Sequence, residues 1–171
     1  MENHIIRNGI YYGVTAIVIT LVLYFINHEM MMSYSSWAIY LIGIWFMVMT
    51  VKSYKIEQEG YISLGDAFTK SWLVYVIGIS ISGIFSFVLY NYIDVSLLDT
   101  MKQVQMDAID KMAGTFGMDQ EAVDRAKAGL EGKNPLDLKA MLIALPISFM
   151  FPGALFAIVI AAIMKRTPVY N

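Results

Sequence analysis

The stretch that decides the fold runs from Ser71 to Ile93 and reads SWLVYVIGISISGIFSFVLYNYI, with no Asp, Glu, Lys, Arg or His. Three more uncharged apolar runs lie near Gly9–Asn27, Met30–Val51 and Ala140–Met164. An α-helix rises ~1.5 Å per residue, so about 20 residues cross the ~30 Å hydrocarbon layer of a membrane. The sequence therefore predicts an all-α fold, a four-helix transmembrane bundle, in a single integral membrane domain that covers residues 1–171.

The composition agrees with spans that face lipid. Hydrophobic residues are 58% and charged residues 15% of the chain, against about 45–50% and 25% in soluble proteins. The net charge of −2 gives no basic face for nucleic acid. The absence of cysteine excludes disulfides and thiolate chemistry. The first run follows Arg7 as a signal peptide would, but residues 24–29 lack a small-x-small cleavage pattern, so we interpret it as a retained span.

The distribution of Lys and Arg between the short loops predicts the orientation of the spans, because cytoplasmic loops carry an excess of these residues. The loop at 28–34 has no Lys or Arg. The N-terminus, the second loop and the end of the chain carry the basic residues, namely Arg7, Lys52, Lys55, Lys70, Lys165 and Arg166. Both termini are therefore expected in the cytoplasm, and residues 94–137 are expected to be extracytoplasmic.

The segment 94–137 has the pattern of an amphipathic helical hairpin. Its first apolar stripe recurs at steps of three and four residues and comprises Leu97, Met101, Val104, Ala108, Met112 and Phe116. We expect this helix to continue from span three, with Asp107 and Lys111 paired on its wet face. Gly114 and Gly117 are expected to end it, and Asp119 to cap a second helix. The apolar stripes could cover the bundle, dock a partner protein or touch lipid.

Span four is expected to begin outside the membrane, with Asn134 as cap and Pro135 at the first helical position. Pro146 and Pro152 lie inside it, and each removes a backbone donor, which predicts a kink. That kink could be structural or could line a cavity.

Small residues predict how the spans pack, because helices in lipid associate through close backbone approach. Spans one, three and four carry small-residue ridges, at Gly9 and Gly13, at Gly78, Ser82 and Ser86, and at Gly153, Ala157 and Ala161. Span two lacks such a ridge. We therefore expect spans one, three and four to pack tightly and span two to lie more peripherally.

No set of residues in the sequence forms a site for catalysis, a cofactor or a metal. His28 and Glu29 lack the second histidine of a zinc protease, and the methionines Met30–Met32 do not point the same way on a helix, which disfavours a copper site. Glu57 and Glu59 are two residues apart and face different directions on a helix. The run Gly132-Lys133-Asn134 lacks the spacing of a phosphate loop. The sequence thus predicts no catalytic, cofactor-binding or metal-binding residue.

The most distinctive stretch lies between spans two and three, where residues 60–68 read GYISLGDAF. We expect span two to end near Gly60 and Ser63 to cap the next helix, with Asp66 as the acid three residues on. This stretch, the helical insert before span four and the ending IAAIMKR at 160–166 resemble a family of small four-span bacterial membrane proteins common in Bacteroidetes, catalogued as a domain of unknown function (number 4199). The resemblance implies the same topology and an inner-membrane location, and no reaction.

These features predict a non-enzymatic structural or accessory membrane protein whose external hairpin or internal loop contacts a partner protein or a second copy of the chain. The alternative is a small-solute transporter or channel that acts as an oligomer. A polar path in such a transporter would be lined by Pro146, Pro152, Ser80, Ser82, Ser86 and Ser148.

Overall fold

The computed structural model describes residues 2–130, 134 and 136–166. Seven α-helices follow one another within these residues: α1 (Glu2–Ile26), α2 (His28–Glu57), α3 (Leu64–Val88), α4 (Leu97–Phe116), α5 (Gln120–Ala128), α6 (Leu138–Ser148) and α7 (Leu155–Met164). Two π-helical turns, Leu89–Ile93 and Phe149–Ala154, extend α3 and join α6 to α7.

The predicted all-α bundle with four spans is confirmed. Four helical stretches are long and apolar enough to cross a membrane: His4–Ile26, His28–Glu57, Leu64–Ile93 and Leu138–Met164. The last three contain their predicted runs and extend beyond them at one end or both, whereas the first starts earlier than predicted and ends at Ile26, one residue before the predicted Asn27. The protein is therefore a polytopic membrane protein. We call the end of the bundle that carries α4 and α5 the hairpin end, and the end that carries residues 58–63 the turn end.

Helix α3 lies at the centre of the bundle and contacts α1, α2 and α7. The close approach predicted for Gly9 and Gly13 is present, since a Cβ on either would lie 2.7 Å from Ile77 or Ile81 of α3. The peripheral position predicted for span two is wrong: α2 packs against both α1 and α3, whereas α7 packs mainly on α3. Gly43 of α2 leaves room for Tyr12 of α1, since a Cβ on it would lie 2.8 Å from the Tyr12 hydroxyl oxygen.

Two tyrosine rings in the core of the spans pack directly against glycines of neighbouring helices. Tyr12 and Tyr75 are fully buried, and their ring centroids are 6.1 Å apart. A Cβ on Gly78 would lie 1.9 Å from Cδ1 of Tyr12, and a Cβ on Gly153 would lie 2.6 Å from the ring of Tyr75. Glycine at these two positions is therefore required by the neighbouring ring.

The turn between α2 and α3 forms largely as predicted. Helix α2 ends at Glu57, and the Gly60 N–H donates to Lys55 O over 2.8 Å, with Gly60 in the left-handed region at φ 89°. The Ser63 side chain accepts from the Asp66 N–H at 3.0 Å, and its hydroxyl donates to the Asp66 carboxylate at 2.7 Å. This reciprocal cap fixes where α3 begins.

Span four is interrupted at Pro152, as predicted, whereas α6 continues through Pro146. Within the π-helical turn, Phe151 leaves the helical region at φ −136° and ψ 116°, next to Pro152. A backbone carbonyl at this break, Phe149 O, accepts a hydrogen bond of 2.8 Å from Trp72 Nε1 of α3. A neighbouring side chain thus satisfies a group that lipid could not.

The amphipathic hairpin is present, but its boundaries differ from the prediction. Span three and α4 are not one helix, because Asp94 has φ −138° and ends the π-helical turn. Gly114 lies inside α4, and Gly117 ends it in the left-handed region at φ 65°. Asp119 caps α5 by accepting from the Ala122 N–H at 2.7 Å, as predicted.

The predicted start of span four is wrong. Asp137 caps α6, because its carboxylate accepts from the Ala140 N–H at 2.6 Å. The side-chain oxygen of Asn134 instead accepts from the Leu136 N–H at 2.9 Å, and its side-chain amide donates to Asn91 Oδ1 at the end of span three. Pro135, Gly132 and Lys133, which also figure in the predictions, lie outside the described residues.

Candidate functional site

The hairpin end has its own hydrophobic core, separate from that of the spans. Met31 of α2, Leu89 and Tyr90 of the π-helical turn, and Leu97 of α4 are buried together there. Helix α4 rests on α2 at this point. The first turns of α4 are therefore part of the folded bundle.

Asp94 anchors the corner where span three turns into α4. Its carboxylate accepts from the Tyr24 hydroxyl of α1 at 3.0 Å and from the N–H and hydroxyl of Ser96. The hydrogen bonds from Ser96, followed by the one from Tyr24, hold the pKa of Asp94 below its ordinary value. The charged carboxylate thus ties α1 to the start of the hairpin.

Asn91 joins the end of span three to the approach to span four. Its amide donates to Leu136 O and to Phe87 O, both at 2.9 Å. Its carbonyl oxygen accepts from the Asn134 amide at 2.8 Å. Asn91 and Asn134 close the base of the hairpin through side-chain hydrogen bonds.

A pocket of about 280 Å³ lies beneath α4, between the ends of the first three spans. Its walls combine apolar side chains with hydroxyl and amide groups, from Thr20, Met32, Ser35, Ser36, Ile39, Ser86, Tyr90, Met101, Val104, Gln105 and Leu136. The Tyr90 hydroxyl is turned toward Met32 Sδ at 3.1 Å. A mainly apolar pocket with a few polar groups suits a small uncharged molecule.

The serines predicted to line a polar path do not converge on one. The hydroxyls of Ser80, Ser82 and Ser148 donate to carbonyls of their own helices, at 2.7, 3.2 and 2.7 Å. Ser86 lines the pocket beneath α4. Pro146 lies inside α6 and Pro152 at the break in span four, and neither lines that pocket.

The apolar stripe of α4 changes its surroundings along the helix. Leu97 at the start is 0% exposed, whereas Met112 is 54% and Phe116 75% exposed. Helix α5 covers another face of α4, where Lys127 Nζ lies 2.7 Å from Asp110 Oδ1 and Val123 is buried. We name the exposed group Met112, Phe116 and Met118 the hairpin tip. The predicted pair of Asp107 and Lys111 is not among the ion pairs of the described residues.

The turn end is closed by contacts that the sequence did not reveal. Ile62 and Arg166 exchange two backbone hydrogen bonds of 3.0 Å, and Lys55 Nζ donates to Met164 O at the end of α7. His4 Nε2 lies 2.8 Å from Glu57 Oε1, and Arg7 Nη2 donates to His4 Nδ1 at 2.9 Å. The sequence indicated these contacts only through the position of His4 and Arg7 just before an apolar run.

The residues weighed for metal or acid–base chemistry are dispersed. His28 stacks on Tyr24 with centroids 4.8 Å apart. Met31 is buried while Met30 is exposed, so the three methionines do not share a site. The described residues contain no group of three His, Cys, Asp or Glu that could hold a metal ion.

The comparison with known families identifies the class of protein. A model of the family described as "Protein of unknown function (DUF4199)" matches residues 7–166, so the chain belongs to this family. The match begins at Arg7 and ends at Arg166, two residues that take part in the contacts of the turn end. No curated protein and no solved structure matches the chain.

Proposed function

We propose that this protein is a non-enzymatic accessory component of a bacterial inner membrane that binds a partner protein through the hairpin tip. The observation that carries this proposal is the contrast along α4. The same apolar stripe is buried at Leu97 and exposed at Met112 and Phe116. Methionine and phenylalanine side chains form adaptable, strongly apolar contact surfaces.

The charge around the hairpin tip favours a protein over a lipid surface. Residues 97–130 carry six acidic side chains and four basic ones, a balance of 4 − 6 = −2. Anionic headgroups repel such a segment. The partner that fits is a protein with an apolar groove bordered by basic residues, which would receive α4 as a helix in a groove.

The orientation of the four spans in the membrane is part of the same proposal. Arg7, Lys55 and Arg166 all lie at the turn end, and the rule for basic residues puts that end in the cytoplasm. Both termini are then cytoplasmic, and residues 94–137 are extracytoplasmic, where the hairpin tip would meet its partner.

The absence of cysteine allows a direct test in native membranes. Two single-cysteine variants are compared. Phe116→Cys places its thiol on the hairpin tip, and Asp107→Cys places it on an exposed part of α4 away from the tip. Each thiol is labelled with a membrane-impermeant photo-crosslinker. We expect both thiols to be labelled from the extracytoplasmic side. A discrete protein adduct is expected from position 116 and none from position 107.

Reversal of the charge beside the hairpin tip is the second arm of this test. The double change Glu121→Lys and Asp124→Lys should abolish the adduct at position 116 while the protein still inserts. An adduct with lipid or with a second copy, or one that survives the charge reversal, would disprove the proposed partner. Labelling only from the cytoplasmic side would disprove the orientation.

The alternative proposal, a small-solute transporter or channel acting as an oligomer, has one observation in its favour, the pocket beneath α4 that includes Ser86. Solute flux in vesicles that contain the purified protein, reduced by Ser86→Leu, would favour it. Hairpin-tip variants such as Phe116→Ser should leave that flux unchanged.

A further inference from the structure

A groove of about 520 Å³ runs between α1 and α2 toward the turn end, on the outer surface of the bundle. It is lined by Arg7, Asn8, Tyr11, Val14, Thr15, Trp45, Phe46 and Met49. Tyr11, Val14 and Trp45 each leave about half of their surface exposed. The groove lies away from the hairpin tip and the pocket beneath α4, and in a membrane its apolar walls face lipid.

Arg7 lines one end of this groove, and the register of the two helices brings a second cation, Lys52, to the same level. The Asn8 amide donates to Thr50 Oγ1 at 2.8 Å, which sets the register of the antiparallel helices α1 and α2. In this register Lys52 lies level with the turn that carries Arg7. Lys52 follows Trp45 by seven residues, so the two share a face of α2.

Neither cation is neutralised by a carboxylate among the side chains that the structure describes. The hydrogen bond of the Arg7 guanidinium goes to His4 Nδ1, and the nearby carboxylate of Glu57 is engaged by His4 Nε2 on the other side of that ring. Because a guanidinium carries five N–H donors, Arg7 retains donors for another acceptor.

We propose that the groove binds one anionic phospholipid, with its phosphodiester against Arg7 and Lys52 and an acyl chain along Tyr11, Val14 and Trp45. The planar fork of arginine matches phosphate oxygens, and lysine adds a point charge. A zwitterionic lipid offers the same acyl chain, but its own ammonium group offsets the attraction of the two cations. The groove therefore distinguishes lipids by headgroup charge.

Tryptophan fluorescence tests this with the full chain in vesicles. Trp37 and Trp45 lie on the same helix, about 12 Å apart. The variants Trp37→Phe and Trp45→Phe keep Trp72 as a common background and report on Trp45 and Trp37 respectively. Quenching of the tryptophan fluorescence is measured in two mixtures of phosphatidylglycerol and phosphatidylcholine. In the first mixture the phosphatidylglycerol is brominated, and in the second the phosphatidylcholine is. At Trp45 we expect the anionic lipid to be bound in preference to the zwitterionic one, by about five-fold for each cation. At Trp37 we expect no preference.

Charge variants and a soluble competitor complete the test. Arg7→Gln with Lys52→Gln should abolish the preference at Trp45, whereas Lys111→Gln on α4 should leave it intact. If the double variant does not insert, Lys52→Gln alone should lower the preference about five-fold. Equal quenching by the two lipids, or a preference that survives the double variant, would overturn the site. Displacement of the brominated lipid by millimolar glycerol phosphate would show a soluble phosphate site instead.

Discussion

The core of the spans and the hairpin end are stabilised in different ways, although α2 contributes to both. In the core of the spans, glycines bring backbones so close that the rings of Tyr12 and Tyr75 fill the remaining space. At the hairpin end, Asp94 and Asn91 hold the chain through side-chain hydrogen bonds, and a pocket remains. Lipid supplies no hydrophobic drive between helices, so the spans depend on close packing, whereas the hairpin end meets water and uses polar contacts.

The largest effect is expected from a methyl group in the close-packed region. In Gly78→Ala the new Cβ would lie 1.9 Å from the buried ring of Tyr12. Tyr12 is fully buried and the clash is with the base of its ring, so the free energy of unfolding should fall by about 3 kcal/mol. Unfolding in mixed micelles with increasing dodecyl sulfate, followed by circular dichroism, measures this change.

Gly114→Ala in α4 is the matched control. Nothing lies within 4 Å of the position of its Cβ, and Gly114 is inside a helix. Alanine should therefore stabilise the hairpin by up to about 1 kcal/mol. Similar losses of stability in the two variants would show that the two regions do not differ as described.

A smaller effect of opposite sign is expected from Tyr12→Phe. The Tyr12 hydroxyl is buried and has no hydrogen-bond partner among the described residues. Its removal should leave the stability unchanged or raise it by about 1 kcal/mol, because an unsatisfied buried hydroxyl is costly. The same micelle titration measures the difference.

Thr50→Val provides the contrasting case in the same core. The Thr50 hydroxyl is also buried, but it accepts from the Asn8 amide and donates to Phe46 O. Its loss leaves the Asn8 amide unpaired and should cost about 1–3 kcal/mol. A destabilising Tyr12→Phe would indicate that the Tyr12 hydroxyl has a partner in the membrane.

The smallest effect is local and depends on pH. Because the folded pKa of Asp94 is lowered, its contribution to hairpin attachment is complete above the unfolded value of about 3.8 and is lost as pH falls through the folded value. The start of α4 should loosen in acid while the spans stay folded. A spin label at Met101→Cys should become more mobile in that range.

Asp94→Asn keeps the shape of the side chain but removes the titrating charge. The label at position 101 should then be more mobile at neutral pH, and this change of mobility with acid should largely disappear. If acid mobilises the label equally in both proteins, other carboxylates such as Asp110, paired with Lys127, hold the hairpin.

Local signals in the sequence predicted local structure well. Ser63 and Asp119 cap their helices as expected, because a cap depends on residues within one turn. Asn134 resembles a cap equally well, yet Asp137 takes that role, since Asn134 is drawn to Asn91 across the hairpin base. The pattern around Asn134 could not show a partner 43 residues away.

The sequence by itself determined the class of this protein and its number of spans, because charge-free runs of this length must be helices that face lipid. It also located the hairpin and the break in span four, which follow from periodicity and from proline. Only the tertiary structure decided that α3 is central and that span two is part of the core. It also decided that the apolar stripe of α4 is buried at the start of the helix and exposed at its end. These depend on which rings meet which glycines across helices, a matter of three-dimensional fit that no single segment encodes.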